Sequence, residues 1–227
     1  MSAVTVAFDE RGLVPVVVQD RLTGEVRMVA WANEEALRHT RATRQATFWS
    51  RSRRELWVKG ATSGNAMTVH DVLVDCDGDT LLYLVDPAGP SCHTGAPSCF
   101  FRPLEAGQGD GAPAGDPTAA RAPFAVALGE TIRARRAATG KKSYVKSLLE
   151  GGAALMGAKV REEADEVARA LADETDERVA SEAADLLFHV LVALEGRGLD
   201  LRAVLAVLAK RFGTGGHEEK AARAKVG

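Results

Sequence analysis

The sequence contains no long apolar run and almost no cysteine. No apolar stretch approaches the ~18 residues that cross a membrane, and the first eleven residues show no basic start followed by an apolar segment. We therefore expect a cytoplasmic protein without a membrane partner. The three cysteines are an odd number, and in a reducing compartment they are not expected to build a disulfide framework.

Strong charge of either sign is also missing. The formal net charge is -2, whereas general nucleic-acid binders usually carry a clear basic excess, so no nucleic-acid partner is expected. With 227 residues, of which 46% are hydrophobic and 26% charged, the composition is that of an ordinary globular protein. The chain is long enough for one large or two small domains.

The composition changes abruptly after Arg102. Of the 21 residues from Pro103 to Pro123, 14 are Pro, Gly or Ala, and no apolar periodicity survives there. This pattern predicts a flexible linker over residues 103–123. It would separate a domain of residues 1–102 from one of residues 124–212, and the small and charged residues 213–227 predict a disordered tail.

The two halves predict different structure. Residues 1–102 are β-rich, with one short helix over residues 34–40 capped by Asn33 and a hairpin at Asp77-Gly78. Residues 124–212 carry apolar residues at helical spacing and predict an all-α helical bundle, so the fold class is α+β multidomain. The predicted strands cover residues 14–18, 26–31, 47–50, 56–58, 69–76 and 80–85. The predicted helices cover residues 125–139, 143–149, 153–172, 179–194 and 201–211.

All three cysteines lie within one short stretch. Cys76, Cys92 and Cys99 lack the spacing of a zinc ribbon, and three buried apolar cysteines are one interpretation. However, Cys92 and Cys99 lie among Ser, His, Thr, Gly and Pro, which is typical of a loop. Three protein ligands with an open fourth position are the catalytic zinc pattern. His93 is then a fourth ligand, a general base, or a surface residue.

Three alternating aspartates surround the first cysteine. Asp75, Asp77 and Asp79 fit a plain Asp-Gly turn, but three acids around one turn repel each other unless a cation relieves them. Their hard oxygen ligands suit Mg2+. Alternation along an extended backbone predicts that Cys76 faces away from them, so that the aspartates and the thiolate serve adjacent but separate sites.

A basic, aromatic segment precedes the aspartates. Between Arg38 and Lys59 there are seven basic residues and one acid, Glu55. The segment is either a solvated strand face or an anion site, which the small donors of residues 62–65 would complete. The candidate substrate-binding residues are Trp49, Arg51, Arg53, Lys59, Ser63 and Asn65.

These motifs together resemble the phosphoribosyl-AMP cyclohydrolases of histidine biosynthesis, in order over residues 13–102. The resemblance implies zinc on the three cysteines, shared across a homodimer, and magnesium on the three aspartates. It also implies that zinc activates the water that opens the purine ring of phosphoribosyl-AMP, and His93 is our candidate for proton transfer. The motifs that carry it are Trp49-Ser50-Arg51-Ser52-Arg53, Leu56-Trp57, Lys59-Gly60, Thr62-Ser63-Gly64-Asn65, Asp75-Cys76-Asp77-Gly78-Asp79, Cys92-His93-Thr94-Gly95 and Ser98-Cys99-Phe100.

Acidic pairs recur on two predicted helices of the second half. Residues three or four apart share a helix face, so two antiparallel helices could turn these pairs toward each other and hold Mg2+. A solvated charged face is the other interpretation, although the leucines around the second pair indicate partial burial. The candidate magnesium ligands are Glu162, Glu163, Glu166, Glu182 and Asp185.

This second pattern resembles the all-α nucleotide pyrophosphohydrolases. Ser143-Tyr144, Lys159 and the run from Asp185 to His189 narrow the resemblance to phosphoribosyl-ATP pyrophosphohydrolase, over residues 124–211. It implies that Glu163 and Glu166 act in catalysis with Mg2+, and Lys159 is a candidate phosphate contact.

The two resemblances predict a bifunctional hydrolase whose substrates are phosphoribosyl-ATP and phosphoribosyl-AMP. One alternative is a general nucleotide-sanitising pyrophosphohydrolase with a regulatory first domain. The other is a non-enzymatic zinc-stapled dimerisation module.

Overall fold

The computed structural model describes residues 5–102, 122–137 and 143–212. The chain divides into two compact units, Met1–Asp110 and Gly111–Gly227. The first is β-rich and the second is helical, so the predicted fold class is confirmed. Most of the predicted linker and all of the predicted tail lie outside the described residues. Within the described ranges, no helix is long and apolar enough to cross a membrane.

In the described part of the β-rich unit, residues 5–102, there are six strands and one helix. Four strands form a sheet in the order β2-β1-β6-β5, in which β1 and β6 are parallel and the other neighbours antiparallel. The strands β3 and β4 form a separate antiparallel pair. In chain order the elements are β1 (Val14–Asp20), β2 (Val26–Ala32), α1 (Glu34–Thr43), β3 (Thr47–Ser50), β4 (Glu55–Val58), β5 (Met67–Val74) and β6 (Leu81–Pro87).

Strict alternation places the core on one face of this sheet. Val14, Val16 and Val18 of β1 are completely buried, and Phe48 stacks on Tyr83 with ring centroids 5.8 Å apart. Burying one such side chain contributes about 1.5–3 kcal/mol. The predicted cap of α1 is confirmed, because the Asn33 side chain accepts a hydrogen bond from the Ala36 N–H at 2.8 Å.

Tight turns fix the ends of the strands. The predicted hairpin at Asp77-Gly78 is confirmed, since β5 and β6 pair antiparallel with Val74 opposite Leu81. A second turn follows β4 at Gly60, which has a positive φ of 83°. A Cβ atom there would lie 2.3 Å from the backbone nitrogen of Ala66, so this close approach requires glycine.

The helical unit packs two long helices against three shorter ones, and the five predicted helices are confirmed over the described residues. Because only two residues join α4 to α5 and the two helices pack together, they run antiparallel. Their core is formed by Ile132, Val145, Leu148, Met156, Leu191 and Val192. The helices are α2 (Phe124–Ala137), α3 (Tyr144–Glu150), α4 (Gly152–Asp173), α5 (Asp176–Gly196) and α6 (Leu201–Arg211).

Candidate active sites

The loop after β6 brings two of the cysteines together. The buried Cys92 donates its backbone N–H to the Ala96 carbonyl at 3.1 Å, so the loop turns tightly. The exposed Cys99 donates its backbone N–H to the carbonyl of Arg27, on β2, at 2.8 Å. The two thiols lie within hydrogen-bonding reach of each other. The loop after β6 thereby places the sulfur atoms of Cys92 and Cys99 next to each other.

The electrostatics of this thiol pair suit a cation. The Thr94 hydroxyl donates to Cys92 Sγ at 3.1 Å, and this bond lowers the pKa of Cys92. Burial and then the neighbouring Cys92 raise the pKa of Cys99. A soft cation between the sulfurs would remove that repulsion, so the pair fits zinc. The exposed ring of His93 has its Nδ1 atom 3.9 Å from Cys92 Sγ.

Two buried cations lie beside the thiols. Burial lowers the pKa of Lys59, while the charges of Cys99 and Cys92 oppose that shift. Arg27 pairs with the buried Glu25, and its Nε donates to the Ser91 hydroxyl at 3.0 Å. Arg27 and Glu25 are not among the site residues predicted from the sequence. The available signal was a charged pair two residues apart at the start of an otherwise apolar strand, with Glu25 just before β2 and Arg27 within it.

The third cysteine is elsewhere in the same chain. Over the described part of the chain, His, Cys, Asp and Glu ligand atoms form two groups of three or more within 4.8 Å, and neither includes a cysteine. One group is Asp75, Asp77 and Asp79. Cys76 lies between these aspartates, exposed, in the hairpin loop.

The extended backbone that we predicted through Cys76 is wrong, whereas the separation of Cys76 from the aspartates stays a prediction. Strand β5 ends at Val74, and the chain then curls so that Asp75 accepts hydrogen bonds from the N–H groups of Gly78 and Thr80 at 3.1 and 3.0 Å. Desolvation opposes the ionisation of Asp75, but the Thr80 hydrogen bond and its neighbours lower the pKa overall. Turn geometry therefore gathers the three carboxylates, which fit a hard cation.

The basic segment is divided between the cysteine loop and the surface. Lys59 is buried near the thiols, and Asn65 lies against the same loop, where a Cβ atom on Gly89 would be 2.4 Å from its side-chain oxygen. Arg51 places its guanidinium 4.7 Å from the Trp31 ring centroid. The other three candidates lie apart from the thiols in burial or pairing. Arg53 pairs with Glu55 on the surface at 3.1 Å. Trp49 is half-buried and Ser63 is exposed.

In the helical unit, α4 and α5 bring three glutamates together. Ligand oxygens of Glu163, Glu166 and Glu182 lie within 4.8 Å of one another, and Glu163 and Glu182 are buried. Desolvation, followed by the charges of Glu182 and Glu163, raises the pKa of Glu166. Crowded buried carboxylates of this kind fit Mg2+. We call Glu163, Glu166 and Glu182 the glutamate group.

The other two predicted ligands lie outside the glutamate group. Glu162 and Asp185 are exposed. Lys159 Nζ lies 2.9 Å from Glu162 and 3.1 Å from Glu163, and these contacts raise the pKa of Lys159. A lysine thus partly neutralises one member of the group.

A histidine and a tyrosine support the same glutamate. The buried His189 has its Nδ1 atom 2.9 Å from the Asp185 carbonyl and 3.5 Å from Glu163 Oε1. A carbonyl can only accept, so Nδ1 carries a proton, and Nε2 shares a hydrogen bond with the Tyr144 hydroxyl at 2.9 Å. We had not assigned a site role to either residue. A histidine one turn beyond Asp185 on an apolar face was the signal.

Comparison with known proteins assigns each half to a family. Residues 28–101 match the phosphoribosyl-AMP cyclohydrolase family, and residues 126–212 match the phosphoribosyl-ATP pyrophosphohydrolase family. The bifunctional histidine biosynthesis protein HisIE of Thermus thermophilus is 46% identical over 202 residues, covering 88% of each chain. The protein of the same name from Deinococcus radiodurans is 46% identical over 210 residues, covering 92% of this chain and 93% of its own. A chloroplastic relative from Arabidopsis thaliana is 40% identical, covering 97% of this chain and 79% of its own.

Proposed function

This chain belongs to the family of bifunctional histidine-biosynthesis proteins HisIE, and on that premise we propose which of its residues carry out each reaction. The enzyme is a hydrolase that catalyses the second and third steps of the pathway. Its helical half hydrolyses phosphoribosyl-ATP to phosphoribosyl-AMP and pyrophosphate, and its β-rich half opens the purine ring of phosphoribosyl-AMP. The observation that carries this function is the match of two consecutive-step families, in tandem, to one chain.

For ring opening, we propose a zinc site made by two chains of a homodimer. Cys92 and Cys99 are adjacent in one chain, whereas Cys76 lies in the hairpin loop, so a partner chain would supply the third thiolate. Zinc bound there would act as a Lewis acid that makes water nucleophilic at neutral pH. The neighbouring His93 is free to move a proton, because its exposed ring is not packed in the core.

The cations beside the thiols bind the substrate or balance the negative charge of the thiolates. Buried Lys59 and Arg27 supply positive charge in a setting that excludes water, where such charge acts most strongly. We propose that Lys59, with Asn65 from the adjacent loop, contacts an anionic group of phosphoribosyl-AMP. Arg51 and Arg53 would contact its phosphate from the exposed turn after β3. Trp49 and Ser63 are the remaining candidates.

For pyrophosphate release, we propose that the glutamate group holds Mg2+. Bound there, Mg2+ would supply the charge that neutralises the phosphate oxygens of the triphosphate. Lys159 would exchange its ion pair with Glu163 for a phosphate oxygen, since its amino group already lies at the rim of the group. His189 and Tyr144 would hold Glu163 in place. Glu162 and Asp185 remain candidate ligands at the exposed edge.

Other parts of the proposal concern the whole chain. We propose that residues 1–102 and 124–212 are the two catalytic domains, that the enzyme is a cytoplasmic homodimer, and that Asp75, Asp77 and Asp79 hold a second Mg2+. Their crowding around one turn supports the last point. Metal analysis tests the zinc ligands: wild-type protein should hold about one zinc per chain, and Cys99→Ser should lose it. Unchanged zinc in that variant would remove Cys99 as a ligand.

The decisive activity test is incubation of the full chain with phosphoribosyl-ATP. Pyrophosphate release and ring opening, followed separately, should both occur. A panel of ordinary nucleoside triphosphates should be hydrolysed far more slowly. Equal rates on that panel would favour a general nucleotide pyrophosphohydrolase instead.

A further inference from the structure

The helical unit contains a cavity that the proposed chemistry does not use. Its volume is about 420 Å3, within the usual range for small-molecule sites. It lies where the ends of α2 and α5 meet α3 and the start of α4. Gly152 borders it with a positive φ of 69°, and a Cβ atom there would meet nothing within 4 Å. Among the residues that the structure describes, no side chain therefore fills the space at this point.

The cavity is lined by more positive charge than its acids can balance. Of the described residues, Arg136, Lys146 and Arg197 line it, against one acid, Glu150. Lys146 and Glu150 lie 4.0 Å apart, so that pair is weak. Around this basic cavity an excess of positive charge is left for an anion.

A buried acid behind the cavity holds one of these cations in place. Glu195 contacts both Arg133, at 3.2 Å, and Arg136, at 3.6 Å. Because two arginines share one carboxylate, part of their charge stays uncompensated. Arg136 also donates to the Glu195 carbonyl at 3.2 Å, which fixes its direction. The nearby positive charge is therefore positioned by the fold.

The cavity lies on the same face of α4 as the glutamate group. Met156 lines the cavity, and Met156, Glu163 and Ala170 are the buried residues of α4. They are seven residues apart, or about two turns, so they form one stripe, and Met156 and Glu163 are separated by about 10 Å along the axis. Lys159 lies between them and contacts Glu163. The cavity and the glutamate group therefore lie along one side of α4, about 10 Å apart.

We propose that this cavity binds the phosphate of the phosphoribosyl group that distinguishes phosphoribosyl-ATP from ATP. The inference rests on the proposed function. The phosphoribosyl group and the triphosphate are attached on opposite sides of the purine base, so a nucleoside separates the two anionic ends. If the scissile anhydride lies at the glutamate group, the terminal phosphate is one linkage beyond it and too close to reach the cavity. The phosphate of the phosphoribosyl group lies on the far side of the base. Its separation from the anhydride and its negative charge both suit the basic cavity.

The test removes charge from the cavity without touching the glutamate group. Arg197→Gln, alone and with Lys146→Gln, is compared with Arg161→Gln, a matched loss of charge on the exposed opposite side of α4. Pyrophosphate release from phosphoribosyl-ATP is measured with the full-length enzyme and Mg2+. We expect the single cavity variant to lose about tenfold in kcat/KM, the size expected for one charged contact, and the double variant to lose more. Slow hydrolysis of ATP should not change.

Two inhibitors identify which anionic end the cavity binds. Ribose 5-phosphate should inhibit the wild type and Arg161→Gln competitively, and should lose that effect in Arg197→Gln. Pyrophosphate should inhibit all three equally. The proposal is overturned if the cavity variants match Arg161→Gln, or if they lose sensitivity to pyrophosphate instead. A wild-type enzyme that released no pyrophosphate from phosphoribosyl-ATP would instead contradict the proposed function itself.

Discussion

The two halves of this enzyme bring their proposed metal ligands together differently. In the helical half, Glu163, Glu166 and Glu182 converge from two neighbouring helices of a single chain. In the β-rich half, Cys92 and Cys99 are adjacent, whereas Cys76 lies in a separate hairpin loop. A helix pair with a short connection can close a site by itself. A thiol site whose ligands lie on separate loops is, in our proposal, completed by a second copy of the chain.

The charge around the two sites differs in the same way. Buried Arg27 and Lys59 stand beside the thiols, so the protein supplies positive charge even before a metal binds. The glutamate group instead receives its compensation from side chains at its rim, among them Lys159. Loss of metal is therefore expected to destabilise the folded first site less than the second, because like charges are crowded in the second.

The largest expected effect separates the two sites. Cys92→Ser should lower ring opening of phosphoribosyl-AMP by more than about a hundredfold, because a metal ligand is lost. The same variant should keep pyrophosphate release, since independent sites do not couple strongly. Glu163→Gln should behave in the opposite way. Rates of both reactions, measured on each folded variant, check this. Loss of both activities in either folded variant would contradict the two-site interpretation.

A smaller effect tests whether each site needs one chain or two. Co-expressed Cys76→Ser and Cys92→Ser chains should recover about a quarter of wild-type ring opening, because half of the dimers are mixed and each has one intact site of two. The matched control is a mixture of Glu163→Gln and Glu182→Gln, whose mutated residues belong to one group in one chain. That mixture should recover no pyrophosphate release. If pyrophosphate release recovered in the control, the glutamate site would need two chains. If ring opening did not recover with the cysteine variants, the zinc site would not be shared between chains.

The smallest effect is on stability and depends on pH. The folded state raises the pKa of Glu166 above its ordinary value of 4.5, so the folded protein binds more protons than the unfolded chain between those two values. Stability without metal should therefore fall as pH rises through this window. At pH 8, Mg2+ at about 100 times its Kd should restore about 2.7 kcal/mol, and at pH 5 less.

Thermal unfolding with and without Mg2+ measures this effect. Glu166→Gln provides the control, because its neutral amide should flatten the pH dependence of the metal-free protein. If Mg2+ stabilised the protein equally at pH 5 and pH 8, repulsion within the glutamate group would not be the cause.

Local pattern was enough to predict the elements of both halves. Alternation around Val14 to Val18, the Asn33 cap and the apolar spacing of the helices are short-range signals, because strand and helix periods depend on near neighbours. Helix geometry also allowed Glu163 and Glu166 to be placed on one face. The motifs around Asp75 and Cys92 were sufficient to indicate the first enzyme family, and those around Glu163 and Asp185 were sufficient to indicate the second.

Only the tertiary structure decided how distant segments meet. Burial of Arg27 and Lys59 beside the thiols depends on the loop after β6 folding back onto β2. The gathering of the three aspartates depends on hydrogen bonds across the hairpin. The basic cavity depends on the meeting of Arg136 of α2, Lys146 of α3 and Arg197, which follows the end of α5. Residue periodicity cannot predict such contacts, because it depends only on residues that are close in the sequence. Burial and charge balance arise between segments that the chain brings together only when it folds.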